Sequence, residues 1–342
     1  INRDNAGFNT TVERSLEEEL LNETEMRNTN VSLNEALNVN VMLTKRFKKL
    51  RRSLTLNTSL TNNSTDGTSN YFSNTNFRQL NDSLLIDQFK NNIWETTNFN
   101  STLNYTEPLT KYLTGTVGYT FGTVAAYTLN QSFNKNESTG QYDLLDQSLL
   151  NDFNNLTLRN SVNTGLNYKK NMITVNLSNS FAFESLERKY NNLNHRLTRD
   201  QVSIAPSLSV NYQITKSKSM YVRYSGRTTQ PDLNQLEPLK QNDSPLINYL
   251  DNKDLESGFA NNMSMYFNSY KQLKDVSVYI GANVNQYVNP IGSTVTFDPE
   301  SGRRDIQFVN IDESNISANA YGGYRRPLWK KIALSMSIGG NV

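Results

Sequence analysis

The side chains of this sequence able to do acid–base, nucleophilic or metal chemistry are few and dispersed. There is one His, His195, and no Cys. His195 lies in the polar run Asn191-Asn192-Leu193-Asn194-His195-Arg196. A single imidazole without thiolates or further His does not complete a zinc ligand set. A Ser-His-Asp triad is assembled by the fold rather than by local spacing, and no local motif here marks one. There is no dinucleotide-binding glycine fingerprint, no Walker loop and no H-E-x-x-H pair. The sequence therefore predicts no enzyme: no catalytic, cofactor-binding or metal-ligating residue. The absence of Cys also excludes a disulfide scaffold and is compatible with an oxidising compartment.

The remaining candidates are arginines. Arg159, Arg223 and Arg227 fall on the polar positions of alternating segments. A guanidinium there can grip an anionic ligand or an enclosed domain through paired hydrogen bonds. The blander and favoured reading is an ion pair with nearby carboxylates. The basic short turns read as solvated charge. Without a basic patch interleaved with stacking aromatics, they give no case for nucleic acid.

The elements that must position these arginines show a period of two, the signature of strands with unlike faces. In residues 112–127, Leu113, Val117, Tyr119, Phe121, Ala125 and Tyr127 share one face, against Thr114, Thr116, Gly118, Thr120 and Gly122. In 173–183, Ile173, Val175, Leu177, Phe181 and Phe183 oppose Thr174, Asn176, Ser178 and Ser180. Segments 202–212, 276–288 and 332–340 repeat the pattern. About twelve strands follow, near 34–43, 53–62, 96–106, 112–128, 157–168, 172–186, 200–213, 219–228, 257–270, 275–289, 311–325 and 331–342. The polar face carries Asn, Ser, Thr and Gly more than Lys or Glu, which suits a crowded wet lumen better than a soluble surface.

Composition agrees. Of 342 residues, 36% are hydrophobic and 19% charged, against roughly 45–50% and 25% in soluble globular domains. Yet there are 18 Tyr and 15 Phe, and the net charge is only +2, which argues against disorder. No apolar run is long enough for a transmembrane helix. The connections alternate in length. Short basic turns fall near 44–52, 107–111, 169–171, 215–218, 271–274 and 326–331; long polar loops near 63–95, 129–156, 187–199, 229–256 and 290–310. Tight periplasmic turns and long extracellular loops mark outer-membrane barrels. Phe47, Tyr105, Tyr112, Tyr168, Tyr212, Tyr221, Tyr270, Tyr324 and Trp329 stand beside the short turns, as an interfacial aromatic girdle would. The fold class expected is all-β: a transmembrane, antiparallel, up-and-down β-barrel in the bacterial outer membrane, surrounded by lipid. Residues 33–342 form its strands and loops. Residues 1–32 read as a surface loop or partial strand region, with a short helix possible at Ser15–Leu20. No signal peptide is visible at Ile1, and the chain stops at Gly340-Asn341-Val342 in mid-strand, so further strands are expected.

At residues 223–262 the sequence becomes specific: RYSGRTTQPDLNQLEPLKQNDSPLINYLDNKDLESGFANN. This resembles the outer-membrane β-barrel family of TonB-dependent receptor-like proteins of the Bacteroidota type. The matching residues are Arg227, Pro231, Leu233, Gln235, Leu236, Pro238, Asn242, Pro245, Leu246, Asn252, Leu255 and Glu256. Asp232 stands where Ser is usual, and the Gly-Asn-Pro element is reduced to Asp251-Asn252-Lys253. Segment 40–62 is similar to the same family's basic hairpin. The resemblance implies a barrel of about 22 strands with an N-terminal plug. It also implies an energy-coupling protein, a surface lipoprotein as a further partner, and no cofactor. The plug is not in these residues. Three readings stay open: the barrel part of a nutrient-uptake receptor, a non-transporting structural barrel subunit of a secretion or assembly complex, and a passive pore.

Overall fold

A strand inside lipid must hand every backbone N–H and C=O to a neighbouring strand, because no water is there to take them. The computed structural model meets this demand with one large sheet. It describes residues 2–14, 20–78, 80–244, 246–329 and 332–341. In chain order its strands are β1 (Asn2–Arg14), β2 (Leu20–Arg46), β3 (Ser53–Phe77), β4 (Asp82–Pro108), β5 (Leu113–Lys135), β6 (Tyr142–Leu145), β7 (Asn151–Lys170), β8 (Ile173–Tyr190) and β9 (Arg196–Ile204). There follow β10 (Ser207–Thr215), β11 (Lys218–Thr229), a helical turn α1 (Leu233–Leu236), β12 (Ile247–Leu250), β13 (Gly258–Lys271), β14 (Val276–Val288), β15 (Ile291–Phe297), β16 (Arg304–Asn310), β17 (Asn315–Trp329) and β18 (Ile332–Asn341). Sequential strands are hydrogen-bonded neighbours in the order β1-β2-β3-β4-β5-β7-β8-β10-β11-β13-β14-β17-β18, with β6 on β5 and β9 on β8. Every pairing in this sheet is antiparallel, the up-and-down order that the alternation implies. The barrel wall is all-β as expected.

Register keeps the two faces separate across the whole wall. One rung runs Asn167–Asn176–Ser209–Arg223–Ser264–Asn283–Asn319–Asn341 from β7 to β18. It is stitched by Asn176 donating to Ser209 (3.2 Å) and Asn283 donating to Asn319 (3.0 Å). The adjacent rung, one residue along, runs Leu166–Leu177–Leu208–Tyr224–Met263–Val284–Ala318. The apolar face is bare: Leu177, Phe181 and Ile280 are each about half exposed, as side chains awaiting a lipid solvent would be. On the inward face Tyr279 and Tyr321 each lie over the glycine directly opposite, Gly323 and Gly281. A Cβ on either glycine would meet a tyrosine ring atom at 2.4 or 2.3 Å.

Several boundaries differ from the sequence reading. The stretches near 63–95, 129–156 and 187–199 are mostly strand, because β3, β4, β5, β7 and β8 continue past the apolar belt as hairpins. Beyond the belt both faces are wet, so the alternation that reveals a strand fades although the hydrogen-bond ladder persists. Residues 2–14 and 20–32 are paired strand, the second of the two readings given for this region; residues 15–19, where the sequence allows a short helix, lie outside the described residues. The segment 200–213 is split at Ala205-Pro206, since Pro206 has no N–H to give. The ladder continues around the break through Ala205 N to Ser180 O (2.9 Å) and Gly226 N to Pro206 O (2.8 Å). Of the expected girdle, Tyr105, Tyr168, Tyr212 and Tyr324 share parity with apolar neighbours and face outward. Tyr221 and Tyr270 share parity with Arg223 and Ser264 and face inward.

The face assignment has a measurable consequence. Leu177→Arg places a charge on the lipid side and is expected to lower folding stability by about 2–4 kcal/mol, whereas Asn176→Ser costs well under half of that. Urea unfolding in detergent or lipid reads both; equal losses at the two positions would mean the register is shifted by one residue.

Candidate functional site: the roofed lumen mouth

At the end of the sheet where the long connections gather, two of them fold over the inner face. The segment joining β11 to β13 begins with Pro231, buried, and Asp232. The Asp232 carboxylate accepts from the N–H groups of Asn234 (2.8 Å) and Gln235 (2.9 Å), and Gln235 Oε1 accepts from Asp232 N (3.1 Å). This reciprocal cap satisfies the first-turn donors of α1. Ser and Asp cap about equally well, so Asp232 preserves the local structure at the position where the motif usually has Ser. Leu233 and Leu236 then bury against Leu255 and against Leu186 of β8, with Leu197, Ile291 and Phe308 closing the cluster. Asn252 N donates to Leu236 O (3.1 Å) and Asn252 Nδ2 to Phe308 O (2.7 Å). Of the motif residues, Gln235 and Asn252 thus act on backbone groups, and Leu233, Leu236 and Leu255 make a hydrophobic pin. Pro245 lies outside the described residues.

From this pin the segment runs across the inner wall and is latched at each strand. Arg188 of β8, 1% exposed, donates to Glu237 O (3.0 Å), Asn234 Oδ1 (2.6 Å) and Asn155 Oδ1 (3.0 Å), with its guanidinium over the Phe153 ring. Tyr190 and His195 both reach the Glu237 carboxylate, at 2.7 and 3.0 Å. Asn151 of β7 donates to Lys240 O (2.7 Å). Lys90 of β4 is bonded to Asn242 (2.7 Å) and Asp243 (2.5 Å), and Tyr71 of β3 to Asp243 O (3.0 Å). The second segment, between β14 and β17, forms the β15–β16 hairpin, and β12 joins β16 in parallel. Its tip reaches the opposite wall: Asn22 of β2 donates to Ser301 O (3.0 Å), and Arg303 stacks over Phe77 of β3. The two segments together roof the mouth. A cavity of about 720 Å³ lies at the edge of this roof, lined in part by Tyr190, His195, Glu237, Tyr249, Asp251 and Lys253.

Burial by itself pushes the Glu237 carboxyl up. The hydrogen bonds from His195 and Tyr190, with the nearby Lys253 charge, outweigh it and hold the group below its ordinary value. Glu237 is therefore an ionised latch at neutral pH.

The arginines do not converge. Arg159 pairs with Glu184 of the neighbouring strand at 3.2 Å, and Glu184 also accepts from Gln201 (3.1 Å). Arg223 and Arg227 stand exposed on the inner face of β11, and among the described residues neither has an ion pair or a side-chain hydrogen bond. His195 serves the roof through Glu237, and no group of metal-ligating side chains occurs among the described residues. Sequence reasoning missed Arg188, Lys90, Glu237 and Tyr71. The available signal was an inward-parity charge, Arg188 or Lys90, on a strand whose inward neighbours are mostly uncharged.

The sequence matches the family model for the outer membrane protein beta-barrel family over residues 45–341, and the chain belongs to that family. It is a bacterial outer-membrane protein. No curated protein matches it. Among solved structures, the copper transporter OprC aligns with 99% of this chain and 57% of its own, at 8% identity and a TM-score of 0.52. The ferric citrate transporter FecA, in its unliganded form, aligns with 99% of this chain and 57% of its own at 10% identity and a TM-score of 0.48. The Serratia marcescens hemophore receptor HasR, solved with its hemophore HasA and heme, aligns with 94% and 56% at 10% identity and a TM-score of 0.47. The chain spans just over half the length of these structures. The OprC likeness shows the fold alone: the wall of a large antiparallel β-barrel.

Two outcomes test the roof. Arg188→Met removes three hydrogen bonds from a buried cation, each worth about 1.5–3 kcal/mol. Protease cleavage within 229–256 is expected to speed up at least about tenfold while the heat-shifted gel mobility of the barrel stays. Because the folded-state pKa of Glu237 is depressed from 4.5, its contribution is complete above that pH and is lost as pH falls below it. A fluorophore at Ser244→Cys should report loosening only below about pH 4.5, and Glu237→Gln should abolish that transition.

Proposed function

We propose that this chain forms the wall and the substrate-side roof of a TonB-dependent, receptor-like outer-membrane transporter for nutrient uptake. A plug domain would occupy the lumen, and an energy-coupling protein and a surface lipoprotein would be its partners. The observation that carries the reading is the pairing of a latched roof with an inner-wall rung, Asn167 to Asn341, made of small amides and hydroxyls apart from Arg223. A pore that passes solutes freely has no use for two loops pinned across its mouth. A wall meant to seal itself would carry large interlocking side chains. Small polar groups that hydrogen-bond sideways along a rung, as Asn176–Ser209 and Asn283–Asn319 do, leave a smooth, wet surface against which another folded body can sit and be moved. Arg223 is the one charge in its rung, without a carboxylate partner among the described residues. It is the residue proposed to hold an anionic group of that body or of the cargo, and Arg227 the second. The roof, built on Leu233, Gln235 and Leu236, faces the cell exterior, as long loops do in this class of barrel.

Conductance of the purified full-length protein in planar bilayers separates the readings. A transporter with a plug should be silent in buffer and open a wide channel once about 4 M urea loosens the plug, a concentration at which small domains unfold and barrels persist. Steady conductance without urea would make it a passive pore. Silence in both conditions, with no plug in the protein, would favour a structural barrel subunit. Orientation is read separately: Ser138→Cys, at an exposed tip of the β5–β6 connection, should react with an impermeant maleimide on intact cells, and Lys48→Cys only after the outer membrane is opened.

A further inference from the structure

The opposite rim of the sheet, where the short turns lie, carries a feature that transport does not use. The strand residues beside these turns include Lys45 on β2, Lys170 on β7, Lys218 on β11, Lys271 on β13 and Arg326 on β17. Parity puts all five on the outward, apolar face. Lys45 follows Val41 and Leu43, Lys170 follows Leu166 and Tyr168, Lys218 precedes Met220 and Val222, Lys271 follows Met265 and Phe267, and Arg326 follows Gly322 and Tyr324. Among the described residues none of the five has an ion pair or a hydrogen-bonded carboxylate. The carboxylates of this rim are already engaged elsewhere: Glu107 by Lys49 (2.5 Å) and Arg52 (2.7 Å), and Asp275 by Arg325 (3.4 Å). Aromatic rings stand with the cations. Lys170 and Lys111 flank the Tyr112 ring at 5.3 and 5.5 Å, and Lys45 lies 5.4 Å from Phe47.

An outward cation at the border of an apolar belt has one place to go. The sheet separates it from the lumen, so its stem lies along the belt and its head reaches the headgroup layer. We infer that these five residues form a ring of binding sites for anionic phospholipid headgroups in the leaflet that contacts the short-turn rim. Three observations favour lipid over an acidic protein. The charges are spread one to a strand around the wall instead of gathered in a patch. They point sideways into the belt's edge instead of downward from the turns. They are interleaved with outward Tyr168, Tyr212 and Tyr324, which prefer the same interface. The leaflet is the periplasmic one, an assignment that rests on the orientation proposed above, which the cysteine labelling tests on its own.

The experiment uses the full-length protein in phosphatidylcholine bilayers containing trace spin-labelled phosphatidylglycerol or spin-labelled phosphatidylcholine, and measures the relative association constant from the motionally restricted fraction. At low salt phosphatidylglycerol should be preferred, by up to about fivefold, the ratio expected of one such contact, and 1 M salt should remove most of that preference. The combined variant Lys45→Gln, Lys170→Gln, Lys218→Gln, Lys271→Gln and Arg326→Gln should bring the ratio to about one, with heat-shifted mobility confirming that the barrel is folded. If that variant does not fold, the single changes Lys170→Gln and Arg326→Gln should each lower the ratio in part. No preference in the parent protein, or a preference unchanged in the variants, would overturn the inference. So would stronger competition by lipid A phosphates than by phosphatidylglycerol, or an acidic protein retained through these residues in the absence of any lipid preference.

Discussion

The constraint on which the rest depends is that a peptide group in hydrocarbon must find its hydrogen-bond partner within the protein. A sheet does so only through neighbours on both sides, and antiparallel neighbours joined by two- to five-residue turns are the simplest supply of them. Everything else in the wall follows from keeping that ladder intact. The turn at Asn171-Met172 holds β7 and β8 in register because Asn171 accepts a left-handed backbone, φ 51, a conformation asparagine tolerates better than most residues. Pro206 is tolerated only because Ala205 and Gly226 carry the ladder past it.

Once the ladder is fixed, parity assigns each side chain to one of two solvents. A shift of a single residue would exchange the Leu166–Leu177–Leu208 rung for the Asn167–Asn176–Ser209 rung, so the hydrophobic pattern and the register enforce each other. The same rule gives unusual residues their meaning. Arg223 is even-tempered in sequence, one Arg among many, yet parity makes it the charged member of a rung of amides and hydroxyls. Lys170 and Lys271 have unremarkable sequence neighbours, but parity turns them toward lipid at the height where the belt ends.

The roof obeys the same demand by other means. Away from the sheet, the segments 229–256 and 289–314 must satisfy backbone groups without long strands. They do it with the Asp232–Gln235 cap, the parallel β12–β16 pairing, and side chains from the wall that accept or donate directly to backbone, as Arg188, Asn151 and Tyr71 do. A roof held by hydrogen bonds and one small leucine cluster opens more easily than a packed core, because each latch exchanges with water at modest net cost. That is the mechanical property a mouth needs if a ligand is to pass.

The sequence by itself determined the fold class, the two faces and the alternation of short and long connections, because period two and turn residues are local properties. It also marked the stretch around Pro231, Leu233, Gln235 and Leu236 as special, through a motif whose cap and pin are local as well. It was silent wherever partners lie far apart in the chain. Strand extensions past the belt were read as loops because both of their faces are wet. Tyr221 and Tyr270 were grouped with the outward girdle because closeness to a turn says nothing about parity across a strand. The contacts of Lys90 with Asn242 and Asp243, of Arg188 with Glu237, and of Asn22 with Ser301 join residues separated by 49 to 279 positions. Only the tertiary structure decides those, since the curvature of the wall and the path of the loops bring them together and no pattern within either segment anticipates the other.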